Sequence, residues 1–275
     1  MKKLVFRFDI DTHKCIRDGV PQLLDVSEMY NVPFSFFLNT GKAISFYDSI
    51  KTLLCAEQQE NEEVVLMSAL QKLGMRDYLI AALINPNLIS YKKQVLRLLS
   101  SKCEVGIHGG KNHAKWQYHA KTWSEDRIRK EITFAVDKIR KIYPEYQLGG
   151  FASPAWNSPN DMLRILKEQG FTYCADLHGK YINPVKEGNT ERISVIGVNL
   201  LGEPGGVAFW ENCRARGMSD EEICNQVCST IEKNEITVVY DHPYYAGVKE
   251  IKCIEKIIDE VQKLNCSIVT VESLI

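Results

Sequence analysis

The chain has 275 residues, 45% of them hydrophobic and 25% charged, with a formal net charge of −1. That length and composition suit a soluble globular protein near the size of a single α/β barrel or of two small domains, and the lack of a basic excess argues against a nucleic-acid partner. Nine cysteines, an odd number without a secretion signal, read as reduced thiols of a cytoplasmic protein. The apolar start is broken by Arg7 and Asp9 before a signal-peptide core forms, and no apolar run of about 18 residues is present to span a membrane.

Short apolar runs alternate with helical spacing, which predicts βα units and a parallel sheet. The first predicted strand, Lys3–Asp9, leads into Phe8-Asp9-Ile10-Asp11-Thr12. Alternation along a strand turns Asp9 and Asp11 to one side while Phe8 and Ile10 face the core. Neighbouring carboxylates repel and resist burial unless a cation or proton compensates them. The pair is therefore a candidate metal ligand and general base, with a strand-end turn as the plainer alternative. A second strand is predicted at Phe34–Leu38. From about 42 to 101 no strand pattern appears, and helical spacing such as Tyr91–Leu99 predicts an insertion above the barrel's C-terminal face. Its apolar stretch Tyr78–Ile84 suits either a bilayer surface or a core.

The third strand, Glu104–His108, ends on a histidine, and His113 follows in a glycine-containing loop that can fold back. Two imidazoles so joined can hold one divalent ion together with a carboxylate from another strand. The strand Leu148–Ala152 opens into Ser153-Pro154-Ala155-Trp156-Asn157, and Ser158-Pro159 predicts a helix start. Thr172–Ala175 precedes Asp176 and His178. Further strands are expected at Arg192–Ile196, Ile236–Asp241 and Ser267–Val271, with Ser219–Glu222 as a capping box between them. Seven or eight such units suit a closed barrel. Asp9, Asp11, His108, Trp156, Asp176 and His242 then all fall at carboxyl ends of strands, the face on which barrel enzymes build their sites. His13 reads as loop decoration near that face. His119 and Trp123 read as a sugar-pocket floor or as packing, and Cys224 and Cys228 as helix or core thiols rather than zinc ligands.

The acidic pair, the histidine pair, the aromatic-proline loop and the final histidine, in this order over nearly the whole chain, resemble the polysaccharide deacetylase family, carbohydrate esterase family 4. Gly19–Leu24, Ser35–Phe37 and the helical insertion add to the likeness, which is greatest to the branch that deformylates a lipid-linked formamido sugar. The resemblance implies a distorted TIM-like (β/α)7–8 barrel, with residues 1–275 as a single catalytic domain. It implies Asp9 as general base, Asp11, His108 and His113 as metal ligands, and His242 as general acid. Pro154, Trp156 and Asp176 are the candidates for substrate contact. An Asp-His-His set leaves coordination positions for water and an amide oxygen; zinc is the first expectation, with iron, cobalt, nickel or manganese as alternatives.

The implied reaction removes a formyl or acetyl group from an amino sugar, free or lipid-linked, in surface-glycan synthesis, with the insertion at the membrane surface. Three positions depart from the family pattern. The second histidine usually stands four residues after the first, where Asn112 lies here, and His113 is the fifth. Ala152 occupies the place of an arginine that orients the catalytic aspartate. His242 precedes Pro243 instead of an acidic residue. An amidase acting on non-sugar amides and a catalytically silent glycan-binding protein are the competing readings.

Overall fold

The computed structural model describes residues 1–44, 73–178, 182–184, 193–202 and 208–275. Its strands are β1 (Lys2–Ile10), β2 (Ser35–Leu38), β3 (Glu104–His108), β4 (Gly150–Ala152), β5 (Tyr173–His178), β6 (Ile182–Pro184), β7 (Ser194–Val198), β8 (Ile236–Asp241) and β9 (Cys266–Ile268). The sheet order is β6-β7-β5-β4-β3-β2-β1-β8, with β9 also on β1. Seven strands, β1 to β5 with β7 and β8, run parallel in a nearly closed barrel, as expected. The seam closes just past β7. Leu200 N donates to Val238 O, and Tyr240 N donates to Leu200 O, each at 3.1 Å.

Period-two alternation sets what each strand shows to each side. On β1, Leu4, Phe6, Phe8 and Ile10 join the large outer core between sheet and helices, while Val5 belongs to the cluster that fills the barrel. Arg7 and Asp9 share the inward face with Val5, and Asp11 continues that row just beyond the strand. The outer core is rich in aromatics: the rings of Phe6, Phe8, Phe34, Phe36 and Trp210 pack within 6.5 Å of one another, centroid to centroid, along a continuous chain of neighbours. Each such side chain contributes roughly 1.5–3 kcal/mol on burial. Inside the barrel, Gly150 makes room for Tyr173, since a Cβ there would lie 1.9 Å from the tyrosine ring.

Three local expectations are corrected. The antiparallel β6 at Ile182–Pro184 has no counterpart in the sequence reading, being three residues long and ending in proline. The expected strands at 192–196 and 267–271 form at Ser194–Val198 and Cys266–Ile268. The helix expected to start at Ser158-Pro159 begins at Met162, and the Ser158 hydroxyl instead donates to Asp176. The capping box at Ser219 forms as read, with both reciprocal bonds to Glu222.

Residues 45–72 of the expected insertion lie outside the described residues. The described remainder is helical, at Met75–Leu79, Ile80–Ile84, Leu88–Ser90 and Lys92–Leu99. It is tied to the segment after β1 through Asp77. Arg17 donates to both Asp77 oxygens, at 2.7 and 2.9 Å, and His13 Nε2 lies 3.1 Å from Oδ1. His13 is thus buried as an anchor of the insertion and is not loop decoration.

Hydrogen bonds from Arg17, together with that from His13, hold the Asp77 carboxyl at about 2. A carboxyl lowered on folding stabilises above its ordinary range and loses that contribution as pH falls through its folded value. Asp77→Asn is expected to cost about 2 kcal/mol at neutral pH. In urea titrations the gap to wild type should narrow as pH falls from about 4 toward 2. A gap independent of pH would show that the charge of Asp77 does not hold the insertion.

Candidate metal and proton-transfer site

The row Arg7, Asp9, Asp11 rises along the inward face of β1, and β3 and β8 bring histidines to the same end of the barrel. His108 closes β3, with its Nδ1 3.0 Å from Ala152 O. A carbonyl only accepts, so Nδ1 carries a proton, and in the neutral ring the Nε2 lone pair faces Asp11 and His113. Gly109 then takes φ +71°, and a Cβ on it would sit 2.7 Å from the buried Pro154 ring. The chain can turn there only as glycine.

The shifted histidine spacing has a local cause. Asn112 caps the helix His113–His119: its side chain accepts from Lys115 N at 2.9 Å and donates to Ile44 O at 2.9 Å. His113 N donates to Lys42 O at 2.8 Å. Position 112 is therefore used to start the helix, and the fifth residue, His113, is the one turned inward.

Asp11 Oδ1 lies 3.1 Å from His108 Nε2 and 3.3 Å from His113 Nε2, and the two imidazole nitrogens are 3.2 Å apart. A tetrahedral ion with ligands at about 2.0–2.1 Å would set its donor atoms about 3.3–3.4 Å apart, so this triangle has the edge lengths of one face of such a site. Asp11 Oδ1 is buried and accepts no well-directed hydrogen bond. The donor set thus fits a divalent ion.

Two other clusters of potential ligands among the described residues are less suited. Among Glu211, Asp241 and His242, the Asp241 oxygens accept from Trp210 N and His242 N at 2.7 Å each, and Tyr244 donates to Glu211. Among Asp220, Glu250 and Cys253, Arg214 engages both carboxylates. Cys224 and Cys228 sit one turn apart in the helix Asp220–Lys233; burial pushes both thiols up, Cys224 to about 12, which disfavours metal-binding thiolates.

His242, at the end of β8, faces the triangle from the opposite side. Its Nε2 lies 3.1 Å from Asp11 Oδ2 and 3.0 Å from the Tyr240 hydroxyl, and its Nδ1 lies 3.5 Å from Glu211 Oε1. Burial opposes protonation of this imidazole, but the Asp11 and Glu211 carboxylates outweigh it and hold its pKa well above the usual histidine value. Burial is also what chiefly lifts the Tyr240 phenol, which stays protonated and able to donate. Asp9, beneath Asp11, is 2% exposed and paired with Arg7, and its Oδ2 is 3.8 Å from His108 Nδ1.

The expected substrate contacts divide. Trp156 borders the site, packing edge-on against Tyr240 at 5.1 Å between centroids, in a turn where both Ala155 and Trp156 adopt positive φ. Asp176 accepts from Ser153 N at 2.6 Å and from the Ser158 hydroxyl, which pins that turn. Pro154 is buried behind Gly109. Trp123 packs edge-on against Trp116 beneath Arg127, a packing role. Two neighbours escaped the sequence reading. Arg7 was signalled by its period-two spacing from Asp9, whereas nothing local marks Glu211, which a helix from another part of the chain delivers.

A parallel βα barrel carrying an Asp-His-His triangle, a buried second aspartate and a facing histidine at its strand ends defines a candidate metal-centre scaffold. Residues 1–174 match the polysaccharide deacetylase family, and the chain belongs to it. It is 25% identical over 183 residues to the probable 4-deoxy-4-formamido-L-arabinose-phosphoundecaprenol deformylase of Shewanella sediminis. That match covers 66% of this chain and 58% of the relative, so the chain spans less than two thirds of the relative's length.

Among solved structures, a candidate polysaccharide deacetylase of Mycobacterium smegmatis superposes with a TM-score of 0.63 at 15% identity, over 99% of this chain and 88% of that one. A carbohydrate esterase family 4 pseudoenzyme of Bacillus anthracis superposes with a TM-score of 0.54 at 11% identity, over 99% of this chain and 65% of that one. At these identities the structural likeness concerns the fold.

Proposed function

We propose that the chain is a metal-dependent hydrolase that removes an N-acyl group, formyl or acetyl, from an amino sugar. The observation that carries this reading is the triangle of Asp11 Oδ1, His108 Nε2 and His113 Nε2, with Asp9 beneath it and His242 opposite. Asp11, His108 and His113 would hold one divalent ion, zinc first, which when bound supplies Lewis acidity toward an amide oxygen and lowers the pKa of water.

The remaining work falls to the protein's own groups. Asp9 accepts the proton of the attacking water: both of its oxygens are engaged by Arg7, yet each keeps a lone pair. His242 donates a proton from Nε2 to the departing nitrogen, with Glu211 on its far side to balance the imidazolium charge. Trp156 offers an aromatic face to a sugar ring. Pro154 and Asp176, assigned to substrate in the sequence reading, support the turn that presents it.

Purified protein assayed on an N-formyl and an N-acetyl amino sugar, with metal content measured on the same sample, tests the reading. Turnover that is lost with a chelator and restored by zinc is the expected result. Bound metal with no turnover on either sugar would overturn it in favour of a binding protein, and turnover confined to non-sugar amides would favour an amidase.

The name of the deformylase relative motivates a finer reading, that the amino sugar is carried on a lipid and the insertion touches the membrane surface. No described helix is long and apolar enough to cross a membrane. Supporting surface contact instead, Met75, Leu79, Leu83 and Ile84 are exposed along the insertion. Flotation with anionic vesicles should carry the protein upward, and Leu83→Glu/Ile84→Glu should abolish this while leaving turnover of a soluble sugar unchanged. A protein that stays with the bottom fraction would reject membrane contact.

A further inference from the structure

Arg7 stands two residues before Asp9 on the inward face of β1 and is 1% exposed. Its Nε donates to Asp9 Oδ1 at 3.0 Å and its Nη2 to Oδ2 at 2.9 Å, while Nη1 reaches across the barrel to Ala175 O on β5 at 2.5 Å. The guanidinium is packed among the rings of Phe37, Trp156 and Tyr240, with its carbon 4.8, 4.5 and 5.3 Å from their centroids. Anchored at Ala175 and walled by three rings, the fork has one orientation, and a carboxylate gripped at both oxygens cannot rotate about its Cβ–Cγ bond. Ala152, at the position where the family likeness led us to expect an arginine, is a fully buried methyl whose carbonyl faces His108.

We propose that Arg7 is the positioning residue that fixes the orientation of Asp9, supplied in this chain from β1, on the same strand as the carboxylate it directs. The inference rests on the reading of Asp9 as the base. A residue outside the metal triangle that acts only through Asp9 should alter the rate of the chemical step without altering metal binding or substrate capture.

The test compares wild type, Arg7→Met and Arg7→Lys, each loaded with zinc, for kcat and KM on an N-formyl amino sugar, for bound zinc per chain and for thermal unfolding. Arg7→Met should lower kcat on the order of 10²-fold, the penalty of a misplaced catalytic group, with KM within about threefold and zinc occupancy unchanged. Arg7→Lys keeps the charge and one donor to Asp9, and should recover part of kcat. A folded, zinc-loaded Arg7→Met enzyme with wild-type kcat overturns the proposal. Should Arg7→Met not fold, Arg7→Lys decides: wild-type kcat per bound zinc rejects a need for the two-pronged grip, and a lowered kcat at unchanged KM supports it. Absence of turnover in wild type itself removes the base assignment and the inference with it, an outcome distinct from activity that survives the loss of Arg7.

Discussion

Replacing Asp11 with alanine is expected to leave the protein without stoichiometric zinc and to reduce turnover by roughly 10³-fold or more, corresponding to about 4 kcal/mol of lost transition-state stabilisation. The expectation follows from where Asp11 sits. One of its oxygens closes the triangle with His108 and His113, and the other lies 3.1 Å from His242 Nε2. A single substitution thus removes one corner of the proposed metal triangle and also the carboxylate that faces His242. Elemental analysis of the purified variant beside its progress curve checks both parts. Full zinc occupancy with wild-type turnover in Asp11→Ala would refute the ligand assignment and the mechanism built on it.

Asp9→Asn should be the second severe change, for two separable reasons. A carboxamide cannot serve as the base, which should lower kcat by about 10²–10⁴-fold. It also leaves the buried Arg7 guanidinium without its counter-charge, and breaking such a pair costs about 3–5 kcal/mol. Asp9→Asn should therefore lose stability in urea as well as rate, whereas metal content should hold. If the variant were destabilised yet turned over at the wild-type rate per folded molecule, Asp9 would be a structural partner of Arg7 and the base would have to be sought elsewhere.

Much of this was legible in the residues because strand exits carry their own punctuation. The alternation of Phe8 and Ile10 with Asp9 and Asp11 told which side each would face, and the barrel obeys it. The histidines ending β3 and following β8 could be placed on the same rim because each falls at the carboxyl end of a strand in a parallel barrel. The facts that escaped depend on partners distant in sequence. His13 looked like loop decoration because Asp77, 64 residues on, is what buries it. Arg7 looked like a break in an apolar run, since its compensation by Asp9, Ala175 O and three aromatic rings exists only once the barrel has curled. The meaning of Asn112 was hidden for a similar reason, as a cap is recognisable only when the helix it starts is known.

The seating of β1 has a consequence for how the molecule comes into being. This first strand pairs with β2 and β9 along one edge and with β8 along the other, through registers such as Lys3 with Ser267 and Phe6 with Val239. Contacts between segments so far apart in the chain close late, because the loop entropy must be surrendered before the pairing rewards it. During synthesis the aspartates emerge first and His242 more than two hundred residues afterwards. The nascent chain therefore exposes one flank of β1, with its buried arginine and acids, until translation has delivered β8, and the triangle of Asp11, His108 and His113 meets His242 only at that moment.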